Sequence, residues 1–264
     1  MKLGIIGFGN MAEAILGGVL ESNFINKNDV TASGKDEAML TKASEKYGIN
    51  VEKDNCKVVQ DSDVILLSVK PQILADVIAE IKDVCAQDKL IISIVAGKTQ
   101  GWIAEAFGCS HKVVRCMPNT PALVGEGCTG ICYSDSVTEK EKEFALKMFN
   151  CVGKAIEVPE KLMDVVVGVS GSAPAYVFMF IEAMADGAVL MGMPRAQAYE
   201  FAAQAVMGSA KLMIETGRHP GELKDMVCSP GGTTIEAVRV LEEKGMRSAV
   251  MDAVIRCAQR SKEL

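Results

Sequence analysis

Short β-branched runs alternate with amphipathic segments through the first 158 residues of the chain. The runs 3–6, 30–33, 64–69, 90–95 and 113–117 predict strands. Between them polar and apolar positions follow a helical period: Met11, Ile15, Gly18 and Val19 recur at three- and four-residue spacing. Such alternation predicts βαβ units and so a mostly parallel sheet covered by helices. Two further strands are expected at 129–133 and 155–158, flanking a helix that opens with Thr138 and Glu141 at the spacing of a capping box.

After Pro159 the texture changes. Strand patterns stop, and ten of the fifteen methionines lie beyond this point. The stretch 194–216 reads as helix, with proline at its first turn and Ala198, Phe201, Ala202, Ala205 and Val206 on one face. The expected organisation is an α/β, Rossmann-type doubly wound domain over 1–159, followed by an all-helical domain over 160–264. The apolar excess of the second part predicts burial against a second copy of the chain.

Composition narrows the function classes. At 264 residues, 49% of them apolar, the chain can bury a core of one large or two modest domains. A net charge of −6 argues against a nucleic-acid groove or an anionic membrane as partner. The nine cysteines are odd in number and form no CxxC pair, and the N-terminus has no secretory pattern, so a soluble cytoplasmic protein with reduced thiols is expected. His111 and His219 are the only histidines, which leaves no metal-ligand cluster. The uncharged run 165–181 falls short of a membrane span and contains Ser170, Gly171, Ser172 and Pro174.

The first motif, Gly7-Phe8-Gly9-Asn10-Met11-Ala12, follows a strand and opens a helix. Gly7 permits a tight turn, Gly9 lets a pyrophosphate approach the backbone, and Ala12 lets the helix pack on the sheet. The strand, turn and helix context predicts a dinucleotide site running from Ile6 to Met11. Where NAD enzymes place an acid after the second strand, this chain has Ser33-Gly34-Lys35. A hydroxyl, a free backbone and a cation suit a 2′-phosphate, so NADP is favoured and NADH remains possible. Asp36 follows closely, and Lys35 taken alone is equally a solvated surface charge.

An ordered set of motifs follows: Ser68-Val69-Lys70-Pro71, Ala96-Gly97, Met117-Pro118-Asn119-Thr120-Pro121, Gly171-Ser172-Ala173-Pro174-Ala175-Tyr176 and Ser229-Pro230-Gly231-Gly232-Thr233-Thr234. Over essentially the whole chain this set resembles the pyrroline-5-carboxylate reductase family. One departure is Ala173, where the family usually has a second glycine. The resemblance implies NADPH-dependent reduction of 1-pyrroline-5-carboxylate to proline by a homodimer or an oligomer of dimers. It also implies that Asn55 lies near the adenosine ribose, that Lys70 and Pro71 lie beside the cofactor, and that Asn119 lies near its nicotinamide half. Glu160 matches a position near the substrate, where a carboxylate would favour an iminium.

The last motif can be read from its residues as well. Gly231 and Gly232 precede an apolar helix pattern (Ile235, Val238, Leu241), so exposed N–H groups there would suit a carboxylate. A mere turn and N-cap is the alternative. The resemblance puts Thr233 among the carboxylate ligands and gives Thr234 the catalytic hydroxyl facing the ring nitrogen. Related hydroxyacid dehydrogenases carry a lysine where this chain has Val177; without that base, imine reduction fits better. Rival readings are another nicotinamide-dependent imine or hydroxyacid reductase, and a non-catalytic NADP-binding sensor.

Overall fold

The computed structural model describes residues 1–263. They divide into two compact units, 1–172 with 255–263 and 173–254. Strands end before residue 160, whereas the first unit continues through the helical turns that follow, to Ser172.

The first unit is built on an eight-stranded sheet of order β3-β2-β1-β4-β5-β6-β7-β8. The strands are β1 Leu3–Ile6, β2 Val30–Ser33, β3 Asn50–Val51, β4 Val64–Leu67, β5 Leu90–Ser93, β6 Lys112–Met117, β7 Gly127–Tyr133 and β8 Gly153–Glu157. All neighbours pair in parallel except β6 and β7. Every residue of β1, β4 and β5 is buried, the mark of strands covered on both faces. Each buried Leu or Ile there contributes roughly 1.5–3 kcal/mol relative to exposure.

Helices α1 Asn10–Glu21, α2 Glu37–Tyr47, α3 Asn55–Asp61, α4 Leu74–Ile81, α5 Gln100–Phe107 and α6 Glu139–Asn150 cover the two faces. One core joins α1 and α2 to the sheet through Ile15, Leu16, Val19 and Leu40. The other joins α3, α4 and α5 through Val58, Ile78, Ile81 and Ile103. From β1 the chain runs outward to β2 and β3, then returns to β4 on the opposite side. The strand order therefore reverses between β1 and β4, and in such sheets ligands bind beyond the carboxyl ends of the strands at that point.

A short helix α7, Met163–Val166, continues into a wider π-type turn at Val167–Gly171. The second unit then carries α8 Ala173–Leu190, α9 Arg195–Thr216, α10 Pro220–Val227, α11 Thr233–Glu243 and the start of α12 Met246–Ser261. Ala198 and Ala202 of α9 are buried as their spacing predicts, but Phe201 is 66% exposed. The helical run 160–190 is long and apolar enough to cross a membrane by length and composition alone, an 18-residue window within it having a mean hydropathy of 1.5 and 11% of its residues buried. The shorter uncharged stretch did not show this, because the structure extends the helical run at both ends.

Candidate functional site

The turn after β1 explains its glycines in two different ways. Gly7 has φ +89°, and a Cβ there would lie 2.4 Å from Val69 Cγ1 and 2.8 Å from the Ser68 carbonyl. The protein itself requires that glycine. Gly9 has φ −119°, and a Cβ there would meet nothing within 4 Å. Nothing in the protein forbids a side chain at Gly9, so the space is open to a ligand. Gly9 is the N-cap of α1 and no side chain caps that helix, which leaves N–H groups at the positive end of its dipole. The turn is held by the Gly7 N–H donating to the Ser33 carbonyl at 3.0 Å and the Ser68 N–H donating to the Ile6 carbonyl at 2.9 Å. These features fit a dinucleotide pyrophosphate.

The expected cofactor residues gather on the first unit. Ile6 ends β1, Ser33 ends β2, and Ser68, Val69, Lys70 and Pro71 follow β4. Ala96 and Gly97 follow β5, with Gly97 at φ +76°. Because the pairing of β4 ends at Leu67 and that of β5 at Ser93, residues 68–69 and 94–95, which the sequence reading placed in strands, lie in the loops that follow them.

Ser33 departs from its expected role. It is 0% exposed, and its hydroxyl donates to Asn55 Oδ1 at 2.6 Å, with the Ile5 carbonyl at 3.4 Å. Its single proton is therefore committed within the protein, which leaves Gly34 and Lys35 as the cationic and backbone part of the expected phosphate set. Lys35 is exposed, and among the described residues no carboxylate lies within ion-pair distance of it. Asp36, the acid nearest the strand end, caps α2: its Oδ1 accepts from the Met39 N–H at 3.0 Å. Asn55 opens α3, and its amide nitrogen donates to Glu80 Oε2 at 3.1 Å. Sequence reasoning missed Glu80; an exposed acid on α4, 25 residues away, carries no motif that links it to Asn55.

Two other expected site residues have structural duties. Asn119 is buried, donates from Nδ2 to the Ser170 carbonyl at 3.0 Å, and accepts at Oδ1 from the Cys128 N–H at 2.8 Å. It ties the end of β6 to β7 and to the π-type turn. Glu160 Oε1 accepts the Gln100 N–H at 2.7 Å and lies 3.5 Å from Nη1 of Arg115, itself only 4% exposed. Glu160 therefore serves the N-terminus of α5 and balances a buried guanidinium, duties that the resemblance did not suggest.

In the second unit, Gly231 has φ +67° and Gly232 is the N-cap of α11, again with no side-chain cap. A Cβ at Gly232 would fall 2.3 Å from Ser229 Oγ, so the turn is tight. Thr233 is exposed and Thr234 half-buried in the first turn of α11. The uncapped N–H groups there can receive an anion, with the threonine hydroxyls beside them.

Comparison with known proteins matches two families to separate parts of the chain. The family described as pyrroline-5-carboxylate reductase dimerisation matches residues 160–264. One described as NADP oxidoreductase, coenzyme F420-dependent, matches residues 2–97. Pyrroline-5-carboxylate reductase of Escherichia coli (strain K12) is 51% identical over 100% of this chain and 98% of its own length. That of Methanosarcina acetivorans is 47% identical over 100% and 97%. The crystal structure of Plasmodium falciparum pyrroline carboxylate reductase with NADP bound superposes with a TM-score of 0.91 at 33% identity, covering 100% of this chain and 97% of that one.

Proposed function

The chain belongs to the pyrroline-5-carboxylate reductase family, and from that premise we propose that it reduces 1-pyrroline-5-carboxylate to L-proline with NADPH, NADH also serving. The observation that carries this reading is a pair of helix N-termini that no side chain caps, α1 after Gly9 and α11 after Gly232. One suits a pyrophosphate and the other a carboxylate, so one chain carries sites for both anionic reactants. A sensor that only bound the cofactor would have no use for the second.

When bound, the nicotinamide supplies the hydride. The chain's own residues orient and polarise. Gly7 to Met11 hold the pyrophosphate; Gly34, Lys35 and Asn55 hold the adenosine end; Ser68 to Pro71, Ala96, Gly97 and the backbone around Asn119 face the remaining half. Gly231, Gly232 and Thr233 bind the substrate carboxylate through backbone N–H groups. The Thr234 hydroxyl meets the ring nitrogen, which is bonded to the carbon that bears the carboxylate; its oxygen can accept from the iminium N–H before hydride transfer, and its O–H can donate to the lone pair that the transfer leaves on the amine. Glu160 keeps the surrounding loops in place through Gln100 and Arg115. The protein acts in the cytoplasm as a homodimer or an oligomer of dimers, and the free thiols of its nine cysteines accord with that compartment.

The test is direct. Purified protein mixed with NADPH and pyrroline-5-carboxylate should consume the nicotinamide absorbance and yield an equal amount of proline. Thr234→Ala should lower turnover about 10- to 100-fold, the weight of a hydrogen bond to a charged centre, while Thr234→Ser keeps most of it. No absorbance change with authentic substrate would overturn the assignment.

A further inference from the structure

The corner of the sheet beyond β2 holds a short hydrogen-bonded chain that ends in a carboxylate. The Ser33 hydroxyl donates to Asn55 Oδ1 at 2.6 Å, and Asn55 Nδ2 donates to Glu80 Oε2 at 3.1 Å. Glu80 decides which way the amide points: the flipped amide would set its oxygen against the carboxylate, acceptor to acceptor. With its proton given to Asn55, Ser33 can only accept. The acid that NAD-dependent folds carry at the end of β2 is absent from its usual place, since Asp36 caps α2. Glu80 brings a carboxylate to the same corner from α4. It also sits in the last turn of α4, where the helix dipole disfavours an anion. Asp54 adds to the negative field, with a carboxylate oxygen within 4.8 Å of Glu80's.

We propose that Glu80 is a specificity-determining residue that tempers the preference for a 2′-phosphorylated cofactor. By fixing the Asn55 amide and placing a negative charge beside the adenosine ribose, it supports NADH and opposes the attraction that Lys35 exerts on the 2′-phosphate. This rests on the reading of the crevice at β1, β2 and β4 as the dinucleotide site.

Dissociation constants for NADPH and NADH, measured by calorimetry on the intact protein, test it without recourse to turnover. Glu80→Gln removes the charge and keeps an oxygen for the Asn55 amide. It should tighten NADPH about 3- to 10-fold at low salt, change NADH less than about 2-fold, and lose most of the NADPH gain near 0.5 M salt. Glu80→Ala, which also releases the amide, should weaken NADH more than Glu80→Gln does. Glu80 is exposed, so neither change disturbs a core, and a damaged fold would not bind NADPH more tightly. Equal shifts for both cofactors, or weaker NADPH in Glu80→Gln, would overturn the role of Glu80 while leaving the crevice assigned. Failure of the unaltered protein to bind either cofactor would overturn the crevice reading and this inference with it.

Discussion

His111 is 1% exposed, packs edge-on against Phe107 with ring centroids 4.7 Å apart, and among the described residues has no hydrogen-bond partner for either ring nitrogen. Burial holds its pKa below the usual histidine value because the charged form would lose its water. The unfolded chain then binds a proton near pH 6.5 that the folded chain refuses, so the contribution of His111 is present above that pH and is lost as pH falls below it. His111→Leu should raise stability at pH 7.5 by about 1 kcal/mol, since an unpaired polar group leaves the interior. It should also flatten the pH dependence between pH 6.5 and 5. Urea midpoints at fixed protein concentration measure both, and an unchanged pH slope would remove His111 as its source. None of this was legible from His111 as a residue in sequence. The motif assigns Gly7 to a tight turn and Gly9 to the approach of a pyrophosphate, and the space around each is in keeping with that: a Cβ would clash at Gly7 and meet nothing at Gly9. Ser33 was picked out by its place at the end of the second strand, and Asn119 and Glu160 by resemblance, yet the partners that occupy their polar atoms come from 9 to 60 residues away.

Elements were more legible than side-chain duties, because a period of 2 or 3.6 is a local signal. The strand runs at 3–6 and 30–33 match β1 and β2 in full, since each is buried on both faces and bounded by polar residues or glycine. The two-residue β3 was missed; Asn50 and Val51 are exposed and show no alternation. The capping box is the clearest success. The Thr138 hydroxyl accepts from the Glu141 N–H, and Glu141 Oε2 accepts the Thr138 N–H at 2.9 Å. Glu141 also pairs with Lys112 at 2.7 Å, which ties α6 to β6 and could not be read from spacing. Burial opposes the ionised Glu141, but the bonds from Lys112 and Thr138 outweigh it and hold its pKa below the usual carboxylate value. That stabilisation is present above the unfolded carboxylate pKa and is lost as pH falls below it. Thr138→Ala should cost about 1 kcal/mol at pH 7 while Thr138→Ser costs little, as urea midpoints would show. Equal midpoints for Thr138→Ala and the unaltered protein would mean that the cap adds nothing to α6.

At the scale of the whole molecule, the second unit leaves more apolar surface bare than a lone soluble chain tolerates. Phe178, Met179, Phe201 and Ile214 are exposed, and Leu190 and Met191 are 88% exposed or nearly so. Such surface calls for a second copy, in keeping with the dimerisation family that covers residues 160–264. The methionine count and small-residue helices made that much legible in the sequence, while only the family resemblance, not the residues of the helix bearing Thr234, implies that this helix serves the partner chain. We expect each catalytic centre to draw its cofactor turn from one chain and its Gly-Gly-Thr-Thr helix from another. Gly9→Asp suits a test of this, because the space at Gly9 is open and φ is ordinary, so the aspartate folds in but occupies the pyrophosphate position with the wrong charge. Thr234→Ala cripples the other half. Unfolded together and refolded, the two variants should pair at random and make about half of all dimers mixed. In a mixed dimer, one centre then collects both defects and the other neither, so activity should return to about a quarter of the unaltered level. If each chain instead built its own centre, every centre would keep one defect. Mixed dimers verified by mass, with no activity above that of the separate variants, would exclude the shared arrangement.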